Sequence, residues 1–184
     1  MKNPSKAIIS LSIGIFATLI VASNYLVQFP INTLLTYGAL TYPFTFLLSD
    51  VLSEKYGKEY VLKIVRFGIL IAFIPSLLLA EWQIALASVC AFFISQQFDV
   101  YAFFWIKSKF PNLWWLRTSL STALSQMLDT LIFFHIAFLF NMPYNQIILL
   151  ALGDYTIKFI LAIVNTPFFY LFAIRMQKIL RILN

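Results

Sequence analysis

The run IILLALGDYTIKFILAIVNTPFFYLFA, residues 147–173, decides the fold class. A bilayer core of ~30 Å is crossed by about 20 mainly apolar residues rising 1.5 Å each in an α-helix. This run is long enough and apolar enough to do so. A membrane barrel strand would alternate apolar and polar residues over ~10 positions, and this run does not alternate. In lipid every backbone polar group must find its partner within the chain, so the run is predicted to be a helix. Two charges interrupt it, Asp154 and Lys158. They are four residues apart, on one helix face, where they can pair.

Five more runs share this character: 7–27, 33–52, 65–79, 82–106 and 118–140. The third is short alone, and Val61 and Leu62 extend it. Together the six predict an all-α integral membrane protein whose 184 residues form one transmembrane domain. Composition agrees. Hydrophobic residues make up 61% of the chain and charged residues 11%, against roughly 45–50% and ~25% in soluble proteins. Disorder, a coiled coil and a disulfide scaffold are excluded. Cys90 is the single cysteine, so no internal disulfide and no cysteine-based metal site is possible. No metal and no cofactor are expected.

The net charge of +6 would suggest nucleic acid in a soluble protein. Here the basic residues have a different logic, and no nucleic-acid partner is expected. Lys2 and Lys6 precede the first run. Lys55, Lys58, Lys63 and Arg66 follow the second. Lys107, Lys109 and Arg117 follow the fourth, and Arg175, Lys178 and Arg181 follow the sixth. Twelve of the 13 basic residues therefore fall on one side, and Lys158 lies within a span. The positive-inside rule then places both termini in the cytoplasm. The first run is longer than the ~7–15 residues of a signal-peptide core, so it is read as an uncleaved anchor despite Val21-Ala22-Ser23. Pro43, Pro75 and Pro167 fall inside spans, where each is expected to kink its helix.

A charge at mid-membrane costs ~2.5–3.5 kcal/mol on insertion scales and marks function by default. With Asp154 paired to Lys158, the sequence leaves Asp99 and Asp129 without a cation. Both close the same pattern, Ser95-Gln96-Gln97-Phe98-Asp99 and Ser125-Gln126-Met127-Leu128-Asp129. In a helix the Ser, Gln and Asp of each motif share a face. Two such helices could present their carboxylates and amides to a ligand, or bond to each other. Carboxylates that accept parallel N–H bonds, with Phe98 and Tyr101 available to stack, suit a planar solute rich in donors. Asn165 is a further polar residue within a span, and His135 is expected to pack or to serve a hydrogen bond.

The segments 41–58, 95–101, 116–122 and 125–130 carry a resemblance. The first, TYPFTFLLSDVLSEKYGK, resembles the second-helix signature of the queuosine precursor transporters, the YhhQ-like group of vitamin uptake transporters. The other three resemble further motifs of that family in the same order. The resemblance implies import of 7-cyano-7-deazaguanine or 7-aminomethyl-7-deazaguanine across a bacterial inner membrane, for salvage into tRNA. It also implies kinship with the six-helix substrate-binding subunits of energy-coupling-factor vitamin importers. No Ala-x-x-x-Ala seam occurs in the first span, which argues against a coupling module and for a stand-alone carrier; a homo-oligomer is left open. On this reading Asp99 or Asp129 takes the guanine edge, with Gln96, Gln126, Lys158, Asp154 and Asn165 in the same set.

Asp50, Glu54 and Gly57 sit at the basic end of the second span. They are read as a gate or an ion-pair network with Lys55, Lys58 or Arg117, with Gly57 ending the helix. Another planar vitamin-like or nucleobase solute, imported with a coupling module, is the second reading. An intramembrane aspartyl protease needs two carboxylates sharing a proton, but Ala151 replaces the first glycine of the Gly-x-Gly-Asp motif.

Overall fold

The computed structural model describes residues 3–29, 31, 36–79 and 81–175. Lys2, Lys178 and Arg181 of the predicted basic side, and the predicted start of the second span at Thr33, lie outside them. The chain is all-helical: α1 Lys6–Leu26, α2 Tyr37–Thr41, α3 Pro43–Lys55, α4 Lys58–Leu79, α5 Trp82–Lys109, α6 Trp114–Phe138 and α7 Tyr144–Phe169. A π-helical turn, Tyr170–Arg175, follows α7 a few residues beyond Pro167. Five of these helices are long and apolar enough to cross a membrane. The predicted second span is instead divided into α2 and α3.

That division follows from Pro43, the first residue of α3. Proline has no N–H to donate to the preceding turn, and its ring clashes with that turn's carbonyl. At the break α3 is tied to α7: Asn165 Nδ2 donates to the Pro43 carbonyl at 3.1 Å. A discontinuous helix at membrane depth is tolerated where its loose backbone is enclosed by protein or lines a cavity.

The helices alternate in direction, as contacts at the two ends show. At one end α1, α4, α5 and α6 meet. Gln28 Nε2 donates to the Leu79 carbonyl, and Gln83 Nε2 donates to the Ala137 carbonyl at 2.8 Å. At the other end Glu54 of α3 meets Lys107 of α5 and Arg117 of α6. This second end carries the basic residues.

The main core lies between α1, α3, α4 and α5, around Phe16, Phe46, Ile64, Ile69, Phe92 and Val100. A smaller cluster, Phe103, Phe169 and Ala173, joins α5 to α7 at the basic end. Gly68 lets α4 close on α1, since a Cβ there would lie 2.7 Å from Phe16 Cδ1. Side chains such as Leu70, Ile74, Leu149, Ile160 and Ile163 point outward. In water such a belt would aggregate; in a bilayer it is the lipid-facing surface.

Gly57 does not end α3 in the left-handed conformation expected of a C′ glycine, because no glycine has positive φ. Its carbonyl accepts from the amides of Tyr60 and Val61, so it starts α4.

Candidate functional site

A cavity of about 820 Å³ opens at the end opposite the basic residues and reaches mid-membrane. Gln28, Thr36, Leu79 and Glu81 line its mouth; Phe92, Phe133, Phe134 and Phe138 line its walls; Tyr42, Asp129, Asp154 and Lys158 form its floor. The broken α2–α3 helix supplies Tyr42 at the break itself. Its hydroxyl donates to Asn24 Oδ1 of α1 and lies 3.3 Å from Ser88 Oγ of α5.

Lys158 organises the floor. Its Nζ lies 2.7 Å from Asp154 Oδ2, one turn away on α7, and 3.2 Å from Asp129 Oδ2 on α6. Thr130 Oγ1 accepts from it at 3.3 Å, and the ammonium stands 5.6 Å from the centre of the Tyr42 ring. The predicted Asp154–Lys158 pair is present. The expectation that Asp129 lacks a cation is corrected: the same lysine serves both acids, because α6 lies against α7. Two carboxylates around one ammonium leave acceptor capacity over, since each carboxylate offers about four lone-pair sites.

The repeated Ser-Gln-x-x-Asp motif forms a reciprocal clasp between α5 and α6. Ser95 Oγ of the first motif donates to Asp129 Oδ1 of the second at 3.1 Å. Ser125 Oγ of the second faces Asp99 Oδ1 of the first at 3.3 Å. Of the two readings left open by the sequence, helix-to-helix bonding is the one seen directly. Gln96 Nε2 donates to Thr45 Oγ1 at 3.0 Å, whereas neither amide atom of Gln126 has a partner, although the residue is 1% exposed.

Asp99 is not among the residues that line the cavity. It lies a turn deeper, fully buried, with Ser49 Oγ 3.1 Å from its Oδ2. Asp50 of α3 follows Ser49 directly and is buried at the same level. Thr118 Oγ1 and, at 3.2 Å, Thr122 Oγ1 both donate to Asp50 Oδ2. Deeper still, Glu54 bridges Arg117 at 2.9 Å and Lys107 at 3.1 Å, and Arg117 also donates to the Pro111 carbonyl at 3.0 Å. The expected ion-pair network at this end is therefore present with Arg117. Its second cation is Lys107 rather than Lys55 or Lys58; Lys58 stands over the Tyr101 ring instead, at 4.6 Å.

Phe98 and Tyr101 point away from the cavity, 42% and 48% exposed on the outer face of α5. Helical geometry explains this: with Ser95, Gln96 and Asp99 turned inward, Tyr101 falls on the opposite side of the helix and Phe98 on its flank. Asn165 holds the α3 break, as described, and does not line the cavity. His135 Nδ1 bonds the Leu131 carbonyl one turn back, at 2.7 Å. Sequence reasoning missed the aromatic walls, Phe92, Phe133, Phe134 and Phe138. The pairing of Phe133 and Phe134 one turn past Asp129 was the available signal, hidden among 20 phenylalanines.

The family model described as "Putative vitamin uptake transporter" matches residues 36–81 and 75–172. The "Probable queuosine precursor transporter" of Bacillus subtilis (strain 168) is 34% identical over 160 residues, with 73% of this chain and 70% of that protein covered. The "Queuosine precursor transporter" of Escherichia coli (strain K12) is 31% identical over 172 residues, with 79% of this chain and 76% of that protein covered. No solved structure matches the chain. The relatives are named as transporters, not enzymes, and the protease alternative falls with that finding. A family match across most of the chain, apolar membrane-length helices and a cavity ending on buried charges lead to one assignment: the chain is a multi-pass membrane protein that belongs to the vitamin uptake transporter family, the family of the queuosine precursor transporters.

Proposed function

We propose that the chain imports 7-deazaguanine precursors of queuosine, the 7-cyano and 7-aminomethyl bases, across a bacterial inner membrane. The observation that carries this reading is the cavity floor, two carboxylates sharing one ammonium beneath aromatic walls. A guanine edge offers an N1–H and a 2-amino group side by side, which a carboxylate accepts in parallel. Asp129 and Asp154 line the cavity and are the groups to take that edge, while Phe92, Phe133 or Phe134 stacks on the ring. The aminomethyl form adds a cation that the spare carboxylate charge also suits.

In this proposal the α2–α3 segment is the sixth crossing, both termini are cytoplasmic, and the cavity opens to the outside. The basic distribution supports that orientation. The Glu54–Arg117–Lys107 network then closes the inner end, as the residues expected to gate would. Asp99, Gln96 and Gln126, expected to bind the solute, do not line the cavity and lie beneath its floor. The likeness to energy-coupling-factor binding subunits is part of the proposal, without a coupling module.

The test is complementation. Cells lacking both queuosine synthesis and their own importer would express this protein and receive nanomolar cyano- or aminomethyl-deazaguanine. Queuosine restored in tRNA supports the reading. A membrane-inserted protein that restores none sinks it.

A further inference from the structure

Asp50 and Asp99 form a carboxyl pair that the cavity chemistry leaves unused. Both are buried, at 1% and 0% exposure, where α3 meets α5: Ser49, the residue before Asp50, lies 3.1 Å from Asp99 Oδ2. Among the described residues no cationic side chain forms a salt bridge with either. The other charged groups near them on the surrounding helices are already engaged. Glu54 of α3, Lys107 of α5 and Arg117 of α6 bond to one another on the basic side; Asp129 of α6 is tied to Lys158 and Asp154 of α7 on the cavity side.

The hydroxyls around the pair have competing acceptors. A hydroxyl has a single hydrogen to give. Ser49 Oγ is closer to the Phe46 carbonyl, at 2.9 Å, than to Asp99, and Ser125 Oγ is closer to the Ser121 carbonyl, at 2.7 Å. Ser121 Oγ likewise faces the Thr118 carbonyl, at 3.4 Å, so each hydrogen these serines could give Asp99 is contested by a carbonyl of their own helix. Asp50 Oδ1 is enclosed with no partner at all. Two neighbouring carboxylates buried without a cation do not both stay ionised in a low-dielectric site, and one held proton removes the repulsion.

A polar route joins this pair to the cavity. The clasp bonds Asp129 to Ser95 and sets Ser125 against Asp99, one helical turn apart on both helices. In the turn between them sit Gln96 and Gln126, and three of their four amide atoms have no partner. These amides are the polar groups lying between the cavity acid and the pair.

We propose that the Asp50–Asp99 pair is a proton site that couples solute import to the proton gradient, a reading that rests on the transporter function above. A proton arriving from the cavity side binds the pair, taking it from two negative charges to one. When the basic end opens, the same proton leaves to the interior with the solute. Nothing is oxidised or reduced, and one positive charge crosses per cycle with a neutral base.

The experiment has two arms. Infrared spectroscopy of the purified, solute-free protein in nanodiscs reads the proton itself. A carboxylic-acid C=O band at neutral pH is expected, retained in Asp129→Asn and absent in the double variant Asp50→Asn/Asp99→Asn. In liposomes carrying the wild-type protein, with the membrane potential held at zero by potassium and valinomycin, an inward gradient of about one pH unit should support about tenfold accumulation of the neutral cyano-deazaguanine, at one proton per solute. Asp99→Asn should lose that accumulation and keep solute counterflow. No acid band in the wild type, a band that survives the double substitution, or accumulation that follows a sodium gradient instead would overturn the proposal. If the deazaguanine bases are not carried at all, the import reading fails while the infrared arm still decides the proton. If the double variant does not fold, Asp50→Asn and Asp99→Asn singly serve, each expected to shift or abolish the band.

Discussion

Replacing Lys158 with methionine removes an ammonium while keeping a flexible chain of similar length, so the change isolates charge. Lys158 is 5% exposed and makes contacts of 2.7 Å with Asp154 and 3.2 Å with Asp129. Removing one partner of a buried ion pair costs about 3–5 kcal/mol, because the other is stranded. Here the stranded groups border a cavity of about 820 Å³ and can be hydrated there, which argues for the lower end. A loss of about 3 kcal/mol is a shift of roughly a hundredfold in the folding equilibrium. The assay is reversible unfolding in mixed detergent micelles, followed by tryptophan fluorescence. The triple variant Asp129→Asn/Asp154→Asn/Lys158→Met should regain most of the loss, since its amides strand no charge, and the cycle isolates the coupling. A cost below about 1 kcal/mol for Lys158→Met, or no recovery in the triple variant, would refute the reasoning.

Further predictions concern the cavity, its support and the closed end. Tyr42→Phe leaves Asn24 Oδ1 without its donor and should cost about 1–3 kcal/mol in the same unfolding assay. Phe92→Ala and Phe133→Ala should each weaken uptake by about tenfold if a ring stacks there, whereas Phe98→Ala and Tyr101→Ala on the outer face should leave uptake near wild type. Gly68→Ala forces α4 away from Phe16 and should cost about 1–3 kcal/mol, recovered in part when Phe16 is made smaller. Arg117→Ala breaks the Glu54 pair and the Pro111 bond at the basic end; a cysteine placed at Ser53 should then react faster with an impermeant maleimide added to inside-out vesicles.

Membrane class, helix positions and the polar motifs were legible in the sequence because each is a local property. Hydropathy sets where a helix can cross, and observed boundaries such as Trp82–Lys109 and Lys58–Leu79 differ from the predicted ones mainly at the ends. Pro43 announced a kink, and the chain breaks there. The pairing of Asp154 with Lys158 was legible because both lie on one helix at a fixed spacing. The repeat at Ser95 and Ser125 was visible too, but not that each serine would answer the other motif's aspartate.

What the tertiary structure alone decided is which charges meet across helices. Lys158 reaches Asp129 because α7 lies beside α6, and Glu54 finds Lys107 rather than its sequence neighbours Lys55 and Lys58 because α3 and α5 end together. Helical periodicity says which residues share a face but not which helix that face will meet. The same limit hid the aromatic walls: among so many phenylalanines only the assembled bundle separates those that meet lipid from those that enclose a cavity. The sequence by itself determined a helical membrane protein with costly buried acids. The fold determined which acids share a cation and, among the described residues, left the buried Asp50 and Asp99 without a salt bridge, because burial and pairing depend on contacts between segments far apart in the chain.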